Sequence, residues 1–447
     1  MSTAVVWFRA DLRLGDNPAW AAATTAHQVV VPMFVLDPRP LAAAGPLRRD
    51  LLLAHLGALD ADLKTRGGRL LVRSGNPVRV IPEVMAATGA AVVHFNHDVT
   101  PYAMRRDRTV AVTVPTVVHD GRTIHPIGSI TTASGQPYRV FTPFSRAWGA
   151  RAWDPWPEAG AASITAEAGE EIPGISGATM RPGETGAAER LERFLTVVDG
   201  YDTGRDRPDR DVTSRLSADL RFGTISPRQV AAAVGDGTAG RRAFVRQLAW
   251  REFYAQLLAV FPESVTRALR PEYRAVPWRH DPAGLEAWQQ GRTGYPLVDA
   301  GMRQLVAEGW MHNRVRMITA SFLVKDLLID WRHGERWFRR HLVDADLAQN
   351  AGNWQWVAGT GADAAPYFRV FNPVTQSQRF DPMGDYIRRW VPELDRLGAD
   401  AIHAPWDAAP ADLAAAGVRV GDTYPEPLVD HAAARDRAIA AYRSARP

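Results

Sequence analysis

Residues 344–373, DADLAQNAGNWQWVAGTGADAAPYFRVFNP, bring acids, two tryptophans, three asparagines and three glycines into thirty positions. A core helix rarely carries this mixture, because glycine costs about 1 kcal/mol against alanine in a helix interior and buried aspartate or asparagine is costly unless it is hydrogen-bonded. Polar groups beside large aromatic rings favour a pocket for a flat polar heterocycle. The alternative is a loop whose acids cap helices and whose tryptophans fill a core, and this stretch alone does not separate the two.

The composition limits the classes of protein that the chain can belong to. With 447 residues, two or three domains are expected, and 46% hydrophobic with 23% charged residues is typical of a soluble globular protein. The absence of cysteine excludes disulfides, thiolate metal sites, iron–sulfur clusters and cysteine nucleophiles. The sequence contains no apolar run of the roughly 18 residues that a membrane span needs, and the first residues do not resemble a signal peptide. We therefore expect a cytoplasmic protein, and its net charge of +4 permits an anionic partner.

The N-terminal part, residues 1–125, alternates short apolar runs with amphipathic stretches. Residues 47–67 carry apolar side chains at three- and four-residue spacing, which predicts a helix. No G-x-G-x-x-G follows the first apolar run, and the chain has no G-x-x-x-x-G-K-[ST], so the usual dinucleotide and P-loop signatures are absent. Strand–helix alternation predicts an α/β domain with a parallel, Rossmann-like sheet. The predicted strands are 4–9, 29–36, 69–73, 90–96 and 116–119.

The rest of the chain divides into a connection and a helical part. Residues 159–188 are rich in Gly, Ala, Ser and Pro, and we assign 126–188 to a long interdomain linker. From residue 189 to 447 helical periodicity dominates and almost nothing alternates with period two. The sequence therefore predicts an all-α domain at the C-terminal side.

Polar clusters in the helical part could carry chemistry. TSRLSADLRFGTISPR, residues 213–228, offers hydroxyl, guanidinium and backbone donors for a phosphate, although an ordinary helix cap at Thr213 or Ser214 is the alternative. Asn313, Arg316 and Met317 share one helix face because they lie three or four residues apart.

Six motifs in a fixed order resemble the photolyase/cryptochrome family. They are WFRADLRLGDNPA from residue 7, TSRLS from 213, WREFY from 250, TGYPLVDAGMRQL from 293, HNRVRM from 312 and DADLAQNAGNWQW from 344. The resemblance runs from about residue 4 to about 395 and is strongest to bacterial class I cyclobutane pyrimidine dimer photolyases. It implies an α/β domain, a long linker and a helical domain that holds a U-shaped FAD.

The resemblance also implies which residues contact FAD. Asp344 is expected to pair with Arg316, and Asn350 is expected to face flavin N5, where an amide can donate or accept without adding charge. The positions that match the family's residues around the phosphates and ribityl chain are Tyr201, Thr213, Ser214, Arg215, Leu216 and Ser217. The other matching cofactor positions are Gln247, Arg251, Asn313, Arg316, Asp344, Asp346 and Asn350.

On the substrate side, Trp250 and Met317 match residues that contact a cyclobutane dimer, and Trp356 matches a residue of the same cavity. Members that act on (6–4) products have His where Met317 stands, so (6–4) repair is disfavoured. The implied catalytic set is Gln247, Trp250, Asn313, Met317, Asn350 and Trp356. The implied contacts to the DNA backbone are Arg205, Arg251, Arg314, Arg369 and Gln376.

Three tryptophans, Trp354, Trp331 and Trp278, match the family's chain that carries electrons from the surface to an oxidised flavin. The alternative is that each of them only fills a core.

Two residues depart from the family's pattern, and the sequence leaves open whether the chain binds an antenna chromophore. Gln247 stands where most bacterial members have Glu, and Gln cannot hold a negative charge, so repair could be slower or the substrate different. Phe244 replaces a Trp common near the dimer pocket. PYAMRRD, residues 101–107, looks like the motif of members that bind an 8-hydroxy-deazaflavin antenna, with Arg48 and Asp98 as candidate contacts; a chain without an antenna is the alternative.

The function implied by the resemblance is light-driven repair of cyclobutane pyrimidine dimers in double-stranded DNA, by a monomer with no obligate protein partner. The rival is a cryptochrome-like photoreceptor that signals through a partner; Gln247 favours this rival slightly, whereas Asn350 and Met317 oppose it. A flavin oxidoreductase for small molecules is a further alternative, but the chain lacks a nicotinamide motif.

Overall fold

The structure is a computed structural model that describes residues 2–167, 169–175, 177–178 and 180–445. Six residues lie outside the described ones: 168, 176 and 179 of the predicted linker, and 1, 446 and 447 at the outer ends of the predicted domains. In the part of the chain that is described, no helix has the length and apolar character that a membrane crossing requires.

The N-terminal part is a parallel sheet. Its strand order is β3-β2-β1-β4-β5, every pairing is parallel, and the two-residue β6 adds to the first residues of β2. The predicted strands and the helix that begins near residue 47 are confirmed to within a few residues. The strands are β1 (Thr3–Phe8), β2 (Val29–Leu36), β3 (Leu71–Ser74), β4 (Val92–Asn96), β5 (Thr116–His119) and β6 (Ser163–Ile164).

Both faces of this sheet are buried, as an apolar run without polar alternation predicts. Val6 and Phe8 of β1 lie in one core cluster, whereas Val5 and Trp7 lie in the cluster on the opposite face. Successive side chains of a strand point to opposite faces, so a strand that is apolar throughout requires a helical layer on each side.

Asparagine followed by proline begins helices at three places. The side chains of Asn17, Asn76 and Asn372 accept hydrogen bonds from backbone N–H groups of the first turn, and a proline occupies the next position in each case. A proline at this position loses nothing, because its missing N–H would have no partner inside the helix. Asn372 therefore has a structural role as a helix cap.

The described chain separates into two compact units. The first consists of residues 1–202, 214–262 and 343–348, and the second of residues 203–213, 263–342 and 349–447. The boundaries at 125 and 188 expected from the sequence stay predictions.

The first unit contains the sheet and several helices, one of which lies inside the predicted linker. Phe141, Phe144 and Trp148 are buried on one face of α6, at a spacing that the turn-rich composition around them obscured. The helices are α1 (Pro18–Ala26), α2 (Pro38–Ala42), α3 (Pro46–Lys64), α4 (Pro77–Thr88), α5 (Pro101–Thr113), α6 (Phe141–Ala150), α7 (Gly183–Leu195), α8 (Tyr201–Gly204, which continues into the second unit), α9 (Ser217–Phe222), α10 (Pro227–Val234) and α11 (Ala239–Val260).

The second unit is helical, as the sequence predicts. A π-helical turn, Phe322–Asp326, follows α14, and such turns are frequent at functional sites. Its helices are α12 (Pro282–Gln290), α13 (Pro296–Glu308), α14 (Asn313–Ser321), α15 (Trp331–His341), α16 (Leu347–Ala358, whose first residues belong to the first unit), α17 (Pro373–Phe380), α18 (Asp385–Trp390), α19 (Pro410–Ala416) and α20 (His431–Ser444).

Candidate active site

The predicted phosphate-binding stretch in the first unit is a turn that leads into α9. Ser214 Oγ accepts a hydrogen bond from Leu216 N at 3.3 Å, and Arg215 has a φ of 52°, in the left-handed region that few non-glycine residues occupy. Leu216 is buried and Ser217 is exposed. The N-cap of α9 is Leu216, without a side-chain cap hydrogen bond, but the Ser214 hydroxyl still serves a backbone N–H at the start of the helix. The phosphate-binding role of this stretch stays a prediction.

The acids expected to meet the flavin lie in the segment 343–348 of the same unit, and arginines surround them. Arg122 Nη2 lies 3.6 Å from Asp346 Oδ2, and Arg221 Nε donates to the backbone oxygen of Ala345 at 2.7 Å. Asp344 is buried. The predicted pair of Asp344 with Arg316 joins residues of the two units and stays a prediction.

Arg251 on α11 donates to two backbone carbonyls of its own unit. Its Nη1 donates to Arg122 O at 2.8 Å and its Nη2 to Leu220 O at 3.1 Å. Burial lowers the pKa of Arg251 to about 10, and Asp346 offsets part of this effect. The structure thus supports a role of Arg251 in holding this region, and its predicted contact with DNA stays untested.

Trp250 and Gln247 lie on α11 near an aromatic neighbour that the sequence did not indicate. Phe141 of α6 stacks on the Trp250 ring with centroids 3.6 Å apart and an interplanar angle of 9°. One face of Trp250 is therefore covered within the first unit. The side-chain amide nitrogen of Gln247 donates to Ala243 O, one turn earlier in α11, at 3.1 Å. This hydrogen bond holds the amide nitrogen against the backbone of its own helix.

Tyr201 and Phe244 belong to an aromatic cluster. Tyr201 contacts Phe194 and Phe244 edge to face, with centroids 5.8 and 5.3 Å apart. Phe244 is buried and packs on Phe194 at 4.5 Å. Phe244, which stands where the family commonly has Trp, therefore packs as a core side chain of the first unit.

The two candidate antenna residues have partners in the first unit. Arg122 Nη1 donates to Asp98 Oδ2 at 2.7 Å, and Thr100 N donates to Asp98 Oδ1 at 2.8 Å. Although burial alone would raise the pKa of Asp98, Arg122 and neighbouring arginines lower it. Arg48 Nη2 donates to Ala43 O at 3.0 Å. Arg122 thus lies within reach of Asp98 and Asp346, and the antenna itself stays a prediction.

In the second unit, Asn313 and Met317 lie on one face of α14. Asn313 Nδ2 lies 3.8 Å from Met317 Sδ, and the amide is exposed. Arg316 Nε donates to Met311 O at 2.8 Å, which holds the guanidinium group against the loop before α14. The predicted common face of these residues is confirmed.

Asn350 on α16 is held by a buried acid that the sequence analysis missed. Its Nδ2 donates to both the backbone oxygen and Oε1 of Glu335 on α15, each at 2.9 Å. Arg339 Nε lies 3.1 Å from the same Oε1. Burial raises the pKa of Glu335, whereas Arg339 and the Asn350 amide lower it. The signal available in the sequence was the i,i+4 spacing of Glu335 and Arg339, which is common on exposed helices too.

The three predicted relay tryptophans differ in exposure. Trp354 and Trp331 are 2% and 3% exposed, whereas Trp278 is only partly buried. Trp354 packs edge-on against Phe338 at 5.0 Å, and Trp278 packs edge-on against Tyr442 at 5.9 Å. Trp278 is thus the most exposed of the three, and the relay itself stays a prediction.

The predicted DNA contacts of the second unit are accessible to different degrees. Arg369 is exposed, and its guanidinium lies over the Phe371 ring at 5.3 Å. Arg314 is paired with Asp206 at 2.9 Å, so part of its charge is already neutralised. The partly buried members of the set are Arg205, Gln376 and, for the dimer cavity, Trp356.

The polar side chains at the predicted cofactor positions of the first unit are of the types that suit FAD. The hydroxyl groups of Ser214 and Ser217 and the Arg215 guanidinium can donate hydrogen bonds to a diphosphate. The carboxylates of Asp344 and Asp346 can accept hydrogen bonds from N–H and hydroxyl groups of the cofactor.

Comparison with known proteins gives consistent matches along the chain. A family model described as DNA photolyase matches residues 4–161, and one described as FAD binding domain of DNA photolyase matches residues 244–444. A deoxyribodipyrimidine photo-lyase of Agrobacterium fabrum is 43% identical over 98% of this chain and 97% of its own length. The Escherichia coli deoxyribodipyrimidine photo-lyase is 41% identical over 100% of this chain and 99% of its own length.

A solved structure agrees with these relatives. The crystal structure of a bacterial class III photolyase from Agrobacterium tumefaciens matches with a TM-score of 0.91 and 42% identity, over 100% of this chain and 98% of that chain. The expected α/β and helical architecture is thereby confirmed, whereas the class within the family stays a prediction. The chain belongs to the DNA photolyase family of enzymes and carries that family's FAD-binding domain.

Proposed function

We propose that this chain repairs cyclobutane pyrimidine dimers in double-stranded DNA, using light to drive electron transfer to a dimer that has left the base stack. Bound reduced FAD supplies the excited electron that opens the cyclobutane ring, and it recovers that electron afterwards. The observation that carries the proposal is the full-length match to relatives named deoxyribodipyrimidine photo-lyase. The side chains of the candidate site are consistent with this chemistry.

In the second unit, the face of α14 supplies groups suited to a pyrimidine dimer. Met317 offers a polarizable thioether and Asn313 an exposed amide that can donate or accept. Because a thioether neither gives nor takes a proton, Met317 supports action on cyclobutane dimers rather than on (6–4) products.

In the first unit, Trp250 supplies an aromatic surface. Because Phe141 covers one face of its ring, a base can stack only on the opposite face, and the stack with Phe141 fixes the ring plane in advance. Gln247 keeps a polar group within one helical turn but adds no negative charge. We therefore propose that Gln247 orients the dimer by hydrogen bonding alone.

The arginines supply affinity for the DNA backbone. Arg369 is exposed and Arg205 partly exposed, whereas Arg314 carries an acidic partner. Phosphate contacts of this kind bind damaged and undamaged DNA alike and position the duplex. We propose a monomer that needs no obligate protein partner, because every residue assigned to lesion, cofactor and DNA lies in this one chain.

The test is a light-dependent repair assay on the full chain loaded with reduced FAD. Duplex oligonucleotides that carry either one cyclobutane dimer or one (6–4) product are incubated in light and in the dark, and restored pyrimidines are counted. We expect restoration only of the cyclobutane dimer and only in light. Trp250→Ala should abolish most of it, whereas Trp153→Ala, an exposed tryptophan of the same unit, should not.

The rival function, a flavin photoreceptor that signals through a partner, gives a different outcome. A receptor would reduce its flavin in light but would leave both lesions unrepaired, with equal affinity for damaged and undamaged duplex. That result would overturn the proposal.

A further inference from the structure

The buried amide of Asn350 has a fixed direction. Its nitrogen lies 2.9 Å from two different acceptors, the backbone oxygen and the carboxylate Oε1 of Glu335, and the two residues are 8% and 2% exposed. A backbone carbonyl can only accept, so an amide oxygen placed there would face an acceptor without a proton between them. The nitrogen therefore belongs on the Glu335 side.

This placement has a consequence for the other end of the amide. The oxygen and nitrogen of a planar carboxamide diverge from one carbon, so a nitrogen that points at Glu335 turns Oδ1 away from α15. Oδ1 can only accept hydrogen bonds. Toward any ligand on that side, Asn350 is an acceptor and not a donor.

The carboxylate of Glu335 is held in place by a cation. Arg339, one helical turn further along α15, lies 3.1 Å from the oxygen that also accepts from Asn350. A charged acceptor forms a stronger hydrogen bond than a neutral one, and a nearby guanidinium favours the ionised carboxyl. Arg339 thus offsets part of the rise in the Glu335 pKa that burial causes. The backbone oxygen of Glu335, the second partner of the Asn350 amide, accepts whatever the protonation state of the carboxyl.

We propose that Glu335 is a positioning residue for the flavin: by fixing the Asn350 amide, it presents Oδ1 as an acceptor for an N–H of the bound isoalloxazine. The inference rests on the proposed function, because it takes from the family resemblance that Asn350 faces the flavin. An acceptor favours the form of the flavin that carries a proton there, which is the reduced form, over the oxidised form, whose bare nitrogen is itself an acceptor. Glu335 therefore stabilises reduced FAD without touching it.

The test compares the stability of reduced FAD in variants of the full-length holoprotein. In Glu335→Gln the neutral amide is a weaker acceptor and its own N–H groups can compete for the same position, so the backbone oxygen of residue 335 is the main group left to hold the Asn350 amide in its orientation. We expect reduced FAD to reoxidise in air on the order of tenfold faster than in the wild type, which is the loss of about one charged hydrogen bond. A tenfold change in the equilibrium ratio of reduced to oxidised flavin corresponds to a shift of about 59 mV in the flavin potential for a one-electron couple. Glu286→Gln, the same change at an exposed position of the second unit, should leave both quantities unchanged.

A double-mutant cycle separates positioning from simple structural support. If Glu335 acts through Asn350, then adding Glu335→Gln to Asn350→Ala should change the reoxidation rate no further. Equal effects of Glu335→Gln in both backgrounds would overturn the inference, as would a wild-type rate in the single variant. FAD content and thermal unfolding are measured in parallel, and a variant that loses FAD is replaced by Glu335→Asp, which keeps the charge but shortens the reach and should show a smaller change of the same sign.

The two proposals fail in different ways. A wild-type protein that binds FAD but does not repair dimers contradicts the proposed function. A protein that repairs dimers while its reduced flavin is indifferent to Glu335→Gln contradicts only the positioning role.

Discussion

The packing of Trp354 against α15 gives a sharp test of the electron path. Gly334 lies under the Trp354 ring so closely that a Cβ at this position would lie 2.1 Å from Cη2 and 2.5 Å from Cζ3. Ordinary carbon contacts are about 3.5 Å, so in Gly334→Ala the indole must move by roughly 1.4 Å. Because Trp354 is buried, we expect this overpacking to lower the free energy of unfolding by about 1–3 kcal/mol.

The control is the same substitution where there is room. Gly57 lies in α3, is exposed, and has no atom within 4 Å of the position that a Cβ would take. Gly57→Ala should therefore gain helix propensity, up to about 1 kcal/mol. Urea unfolding of both variants measures the two free energies, and illumination of protein with oxidised FAD measures photoreduction.

We expect Gly334→Ala to be less stable than the wild type and to photoreduce its flavin several-fold more slowly, because the displaced ring is the relay member in question. The Gly57→Ala protein should photoreduce normally. If Gly334→Ala lowers stability but photoreduces at the wild-type rate, Trp354 does not carry the electron. If neither quantity changes, the packing described for these helices is wrong.

Three further predictions use other residues. Trp331→Phe should block photoreduction of oxidised FAD while chemically prereduced protein still repairs dimers; normal photoreduction would place the relay elsewhere. Arg369→Ala should weaken damaged and undamaged duplexes alike and flatten the slope of log affinity against log salt by about one unit; binding curves at several salt concentrations measure this, and an unchanged slope would remove the residue from the DNA contacts. Burial lowers the pKa of Lys325 to about 7, so between about pH 7 and 10.5 the unfolded chain binds a proton that the folded chain does not, and stability should rise with pH through this window. Urea unfolding at several pH values should show that rise weakened in Lys325→Met but kept in Lys64→Met, which changes an exposed lysine; equal slopes in all three proteins would contradict the assignment.

The sequence predicted the sheet well because its signal is local. A strand such as β1, apolar at every position, must be buried on both faces, and Val5, Val6, Trp7 and Phe8 are buried in two separate clusters. Helix α6 was missed because its three buried aromatics lie within a stretch whose turn-forming residues dominate the composition.

The polar chemistry of the site was predicted only in part. Residue types at the motif positions pointed to the cofactor and the lesion, but the partners of those residues come from distant parts of the chain. Phe141 covers Trp250 from α6, Arg122 reaches Asp346 from the loop after β5, and Glu335 was not recognised as a partner. Such pairings depend on tertiary packing, so the sequence of one chain gives no local signal for them.

The central claim is that light moves an electron to the dimer and back, so that repair consumes no reductant. The direct measurement is repeated flash illumination of prereduced holoprotein with excess dimer-containing duplex, without oxygen or added reductant, while restored pyrimidines and the flavin spectrum are followed together. We predict many dimers repaired per protein, with the flavin still reduced at the end. One dimer repaired per protein with the flavin left oxidised, or equal repair in the dark, would contradict the account.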